Sequence, residues 1–177
     1  MAFFSEGQNR VKLLLLYVIK CFRVPVTREQ IFTALSVADD TDYFTVCGLL
    51  SELEDEQYML SVPVRGRQLH YITQKGVSLC EAFEVEIARS VRDEIIGIAD
   101  RDRESIRRMN CVTADAQPRP DGSWELTLSL VEKDSVVFDM KLRMPDAPSA
   151  AAAERKWLKD ADSVYLGILT QLMEDKA

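Results

Sequence analysis

The stretch Val11 to Phe22 constrains this chain more than any other. Val11, Leu14, Leu15, Val18, Ile19 and Phe22 recur at i, i+3, i+4, i+7, i+8 and i+11, the period of one helical stripe. Leu13, Leu16 and Tyr17 make much of the opposite side apolar as well. A helix apolar nearly all round has to be buried from two directions. One side should pack within its own domain, and the other should meet a second domain or a partner chain. The helix belongs in a protein core, because the longest apolar run, Leu13 to Ile19, falls far short of the about 20 residues that span a bilayer.

The punctuation that follows defines two more helices. Val24-Pro25-Val26 ends the first. Thr27-Arg28-Glu29-Gln30 then has the form of a capping box, with Val26 and Ile31 placed for a hydrophobic staple,. The second helix is short and turns Ile31, Ala34 and Leu35 inward. After the polar turn Asp39 to Asp42, a third helix is predicted over Tyr43 to Glu56, with Tyr43, Val46, Leu49, Leu50 and Leu53 inward. Its outer face carries Thr45, Gly48, Ser51, Glu52 and Asp55. The period then changes to two. Tyr58, Leu60, Val62 and Val64 alternate with other residues, Arg65-Gly66-Arg67 turns, and Gln68 to Ile72 returns as the second strand of a hairpin,.

Three helices and a hairpin form the order of a winged helix-turn-helix. Tyr71-Ile72-Thr73-Gln74-Lys75-Gly76 resembles the end of the wing in PadR-like and MarR-like bacterial regulators. A Tyr-x-Leu-Thr-x-x-Gly pattern closes the wing there, and Ile72 here replaces the leucine. The whole chain is also similar to an uncharacterised bacterial winged-helix family, a domain of unknown function. That likeness is carried by Lys12 to Ile19, Tyr43-Phe44, Leu50-Ser51-Glu52-Leu53 and Trp157-Leu158-Lys159. It implies a fold and a regulatory role, with no defined activity.

The second half reads as a helical linker and a small sheet. Leu79, Cys80, Phe83, Ile87, Ala88 and Val91 continue a helical stripe, and Ser90 is placed to cap a further helix,. Asp100 to Glu104 reads as a solvated helix surface with intrahelical ion pairs. Trp124, Leu126, Leu128 and Leu130 mark one strand, Phe138, Met140, Leu142 and Met144 another, and Asn110 to Gln117 a third,. Glu132-Lys133-Asp134 turns between the first two. A last helix over Ala150 to Leu172, with Trp157, Ala161, Val164, Ile168 and Leu172 on one stripe, can cover the sheet. The expected fold class is α+β: a winged helix over residues 1–88, a linker over 89–109, and a β-β-β-α domain over 110–177.

Charge decides how such a fold could meet nucleic acid. The chain has 22 Lys+Arg against 29 Asp+Glu, a net charge of −7. That excludes a polybasic protein holding nucleic acid by bulk charge, and argues against an anionic membrane surface. The wing differs from the rest: no acidic residue lies between Gln57 and Cys80, while Arg65, Arg67 and Lys75 do. The expected DNA contacts are Thr27 and Arg28 to the backbone, Arg65, Gly66, Arg67 and Lys75 from the wing, and Thr45 and Gly48 toward the major groove. The third helix argues the other way, since its outer face has no Lys or Arg and Glu52, Glu54, Asp55 and Glu56 crowd its end. The expected function is a DNA-binding transcriptional regulator acting as a homodimer. The alternative is a winged helix that binds a protein and no DNA, with solvated arginines at the turn.

Other chemistries find little support. Cys21, Cys47, Cys80 and Cys111 are widely spaced and His70 is the one histidine, so neither a metal site nor a redox motif is expected. There is no phosphate loop, nucleophile elbow or cofactor motif. His70 is expected to be a partly exposed strand residue with no Cys or Ser partner, and no catalytic residue is assigned. Met1 to Glu6 has no basic stretch ahead of an apolar one, which argues against a secretory signal and for a cytoplasmic protein with reduced thiols.

Overall fold

The computed structural model describes residues 7–64, 66–132 and 135–174. In chain order it contains α1 (Gln8–Phe22), α2 (Arg28–Leu35), α3 (Tyr43–Asp55), β1 (Met59–Val64), β2 (Arg67–Ile72) and α4 (Gln74–Phe83). A 3₁₀ turn (Glu84–Glu86), α5 (Arg89–Cys111), β3 (Val112–Pro118), β4 (Trp124–Glu132), β5 (Ser135–Met144) and α6 (Ala147–Met173) follow. The fold is α+β, in two compact units, Met1–Ile106 and Arg107–Ala177.

The first unit is built around α1. All of Leu13 to Ile19 is buried, with Val11 and Phe22. Ile31, Ala34 and Leu35 of α2 share its core with Val46, Leu49, Leu50 and Leu53 of α3. Cys80 of α4 and Ile95, Ala99 and Ile106 of α5 are buried in the same cluster. The second apolar side of α1 is therefore filled from within the unit. The helix read as a linker contributes directly to this core. Arg103, from its mixed-charge run, pairs with Asp100 at 2.7 Å. It also donates to the carbonyls of Cys21 and Phe22, each at 2.9 Å, two of the acceptors that a helix C-terminus leaves unpaired.

The hairpin pairs Met59 with Ile72 through to Val64 with Arg67, and Gly66 takes a left-handed φ of 77°. Its buried face differs from the one the alternation suggested. Met59 is fully buried, whereas Leu60 is exposed. A further extended segment lies beside β2: Val26 and His70 exchange backbone hydrogen bonds of 3.0 and 2.7 Å. This bridge corrects the expectation for His70, which is buried rather than partly exposed. His70 also has a serine partner, its cross-strand neighbour Ser61, with Oγ 2.8 Å from Nδ1. Ser61 donates its proton to Glu54 at 2.8 Å.

The wing-closing motif has a steric basis. Thr73 caps α4, accepting from the Gly76 amide at 3.1 Å. Its hydroxyl and its amide also lie 3.0 and 3.1 Å from the Tyr58 carbonyl oxygen. Gly76 is packed so closely that a Cβ would fall 2.2 Å from that oxygen. The 3₁₀ turn then interrupts the helical stripe. Ser90 lies inside the first turn of α5 rather than at its cap.

In the second unit the strands run in the order β3-β4-β5, all antiparallel. Leu126, Leu128 and Leu130 of β4 form a core with Val112, Trp157 and Ala161. The Trp157 indole stacks on Phe138 at 5.0 Å and donates to the Thr113 carbonyl at 2.9 Å. The helix begins at Ala147, earlier than Ala150, because Asp146 caps it and Pro148 is tolerated in the first turn,.

Candidate nucleic-acid interface

Four of the predicted contact residues share one groove. A concavity of about 310 Å³ is lined by Thr27, Arg28 and Glu29 at the start of α2, Tyr43 at the start of α3, and Gly66, Arg67 and Gln68 of the hairpin. The Val26–His70 bridge creates this geometry, since it fastens the chain just before α2 to the strand that leaves the wing. The capping box then fixes the first turn: the Thr27 hydroxyl accepts from the Gln30 amide at 3.4 Å, and the Gln30 side chain accepts from the Thr27 amide at 2.9 Å.

Arg28 lines the groove from the first turn of α2. It is half-buried, and its Nε is buried without a hydrogen-bond partner among the described residues. Arg67 is exposed at the start of β2. Arg65 lies outside the described residues. One anionic side chain, that of Glu29, lines the groove with Arg28 and Arg67. The Glu29 carboxyl is held below its usual range by hydrogen bonds from its own backbone amide and from Thr27, and it accepts from the Tyr43 hydroxyl at 3.2 Å.

Thr45 and Gly48 lie on α3, apart from the groove residues. Gly48 is exposed, with no atom within 4 Å of where a Cβ would stand. The Thr45 hydroxyl donates to Asp42 at 2.6 Å, which leaves its lone pairs as the free acceptors. This bond, with those from the Thr45 and Phe44 amides, holds the Asp42 carboxyl below its usual range. Lys75 is drawn elsewhere. Its ammonium donates to the Glu56 carbonyl at 2.7 Å, beyond the last turn of α3, and lies 4.3 Å from the centre of the Tyr58 ring. The acidic end of α3 is partly neutralised by Lys12, 2.8 Å from Glu52 and 2.9 Å from Glu56.

Sequence reasoning missed three groove residues, Glu29, Tyr43 and Gln68, and one on the outer face of α3. Phe44 is 85% exposed at the first turn of that helix. The signal for it was present: Phe44 falls off the inner stripe and lies four residues before Gly48, on the same face. Among the described residues, no group of three or more His, Cys, Asp or Glu is placed to hold a metal ion. No described helix is long and apolar enough to cross a membrane.

The model of the family described as Domain of unknown function (DUF4364) matches residues 11–172, and the chain belongs to that family. No curated protein and no solved structure matches it.

Proposed function

We propose that this protein binds duplex DNA as a cytoplasmic transcriptional regulator, with the wing and the start of α2 as its backbone clamp. The observation that carries the proposal is the shared groove, which Arg28 and Arg67 line together with Tyr43, the first residue of α3. Arg28 lines the groove half-buried, and a guanidinium bonds phosphate oxygens well. Arg65 would extend the clamp from the turn, with Gly66 admitting the backbone closely. Thr27 contributes through the helix start it organises. Lys75, already tied to α3, would contribute mainly as distant charge.

Contacts of this kind are read by salt. Three phosphates neutralised by Arg28, Arg65 and Arg67 give a slope of about −2.7 in log K against log salt, so affinity for random duplex falls about fortyfold between 50 and 200 mM. Arg28→Ala or Arg67→Ala should each lower the slope by about 0.9 and weaken all sequences alike. Binding that is undetectable at low salt, or indifferent to salt, overturns the proposal. In that case protein binding becomes the better reading, with the acidic residues Glu52 and Asp55 of α3 facing a basic partner.

A homodimer belongs to the same proposal, and Ile96 on α5, the helix read as a linker, stays exposed for it. The apolar sides of α1 are used up within the unit. Leu166, Leu172 and Met173 toward the end of α6 are instead exposed. Sedimentation that finds only a monomer at high concentration refutes it.

A further inference from the structure

The outer face of α3 carries its own chemistry over its first two turns. Each polar side chain there has an internal bond. Asp42 accepts from the amides of Phe44 and Thr45, each at 3.0 Å, and from the Thr45 hydroxyl. The Tyr43 hydroxyl donates to Glu29, and the Ser51 hydroxyl donates to the Cys47 carbonyl at 3.1 Å. What faces solvent is apolar and small: Phe44, then Gly48 one turn on, with half-buried Cys47 beside them. No side chain of this face can make a bidentate contact with guanine or adenine.

An apolar face at the N-terminal end of a groove-entering helix has one strong partner on duplex DNA, the thymine C5-methyl in the major groove. Three observations favour that occupant. The Phe44 ring lies edge-on to Tyr43 at 6.3 Å, and Tyr43 lines the groove that holds Arg28 and Arg67, so the apolar face is continuous with the proposed phosphate clamp. Gly48 keeps the helix surface low beside the ring, which lets the backbone approach the bases. Asp42 spends its carboxylate on the Phe44 and Thr45 amides and the Thr45 hydroxyl, so Phe44 is the large side chain that the first turn presents to a base edge.

Resting on the DNA-binding proposal above, we infer that Phe44 reads thymine methyl groups and that the preferred duplex is defined by thymines rather than by guanine contacts. The test begins with selection of the best-bound duplex from a randomised pool, at a salt concentration where random DNA is released. Each thymine of that site is then replaced by deoxyuridine, which removes only the methyl. Affinity should fall about fourfold per contacted methyl. Phe44→Ala should bind the thymine and uracil duplexes equally while keeping the salt slope of the unmodified protein. Phe44→Leu should restore part of the difference. Equal binding of thymine and uracil duplexes by the unmodified protein, or a difference that survives in Phe44→Ala, overturns the inference and leaves the clamp standing. Loss of all salt-dependent binding overturns the clamp, and methyl reading with it.

Discussion

Gly76→Ala isolates the joint between wing and α4. The added methyl would lie 2.2 Å from the Tyr58 carbonyl oxygen and 2.7 Å from Ile72 Cγ1. Contacts between such atoms are comfortable only near 3.5 Å, so the two backbones must separate by about 1 Å. The Tyr58 oxygen is backbone and cannot rotate away. It also accepts the Thr73 amide at 3.1 Å, and the Thr73 hydroxyl donates beside it to the Gln57 carbonyl at 2.8 Å, bonds worth about 1 kcal/mol each. Overpacking adds about 1–3 kcal/mol. The expected loss is therefore about 3–5 kcal/mol, well above the ordinary cost of a point substitution.

Gly48→Ala supplies the control. It makes the same change in a helix where nothing lies within 4 Å of the new atom. There the usual helix preference for Ala over Gly should stabilise by about 0.5–1 kcal/mol. Both variants are measured by denaturant unfolding followed by far-UV circular dichroism. Trp124 and Trp157 both lie in the second unit, so tryptophan emission follows the other part of the chain. A Gly76→Ala protein within 1 kcal/mol of the parent would refute the close approach and the steric account of the wing-closing glycine.

Other consequences follow from burial. Trp157→Phe should cost the second unit about 1–3 kcal/mol, because the Thr113 carbonyl loses its buried donor,; unfolding followed at Trp124 measures it. Burial pushes the Cys80 thiol up to about 12 and that of Cys111 to about 11, so both should stay unlabelled in native protein at pH 8 while half-buried Cys47 reacts first, as peptide mapping after alkylation would show. His70 is held below its usual value by burial and then by the charge of Arg28. Its native form binds a proton less readily than the unfolded chain. Its contribution is therefore intact above about pH 6.5 and lost as pH falls below it, by up to about 1.4 kcal/mol per pH unit. His70→Gln should flatten that part of the stability–pH curve, and an unchanged slope would refute the assignment.

Periodicity and capping made most of the fold legible. The stripe of α1, the box at Thr27 and the inner face of α3 each follow from residue type at a fixed spacing. What spacing cannot show is a contact between segments far apart in the chain. His70 reads as half-exposed because nothing near it in sequence announces that Val26 will pair beside it. Arg103 reads as a solvated charge until the end of α1 is brought to it. In each case a polar group was assigned outward because its internal partner was invisible.

The same asymmetry bears on the charge. A net of −7 argues against bulk attraction to nucleic acid, and the internal bonds narrow the remaining cations further. Lys12 is paired with Glu52 and Glu56, and the Lys75 ammonium donates to the Glu56 carbonyl. Arg28 and Arg67 are the cations that line the groove shared with Tyr43 of α3. A clamp of two or three charges is weak and carries no sequence information. Specific regulation through it therefore requires discrimination from a part of the surface that is not basic. Phe44 and Gly48 form the outward part of α3 that has no internal hydrogen-bonding task. If the protein selects any DNA site, weak clamping and apolar reading have to act together, so losing either should abolish selectivity before it unfolds the protein.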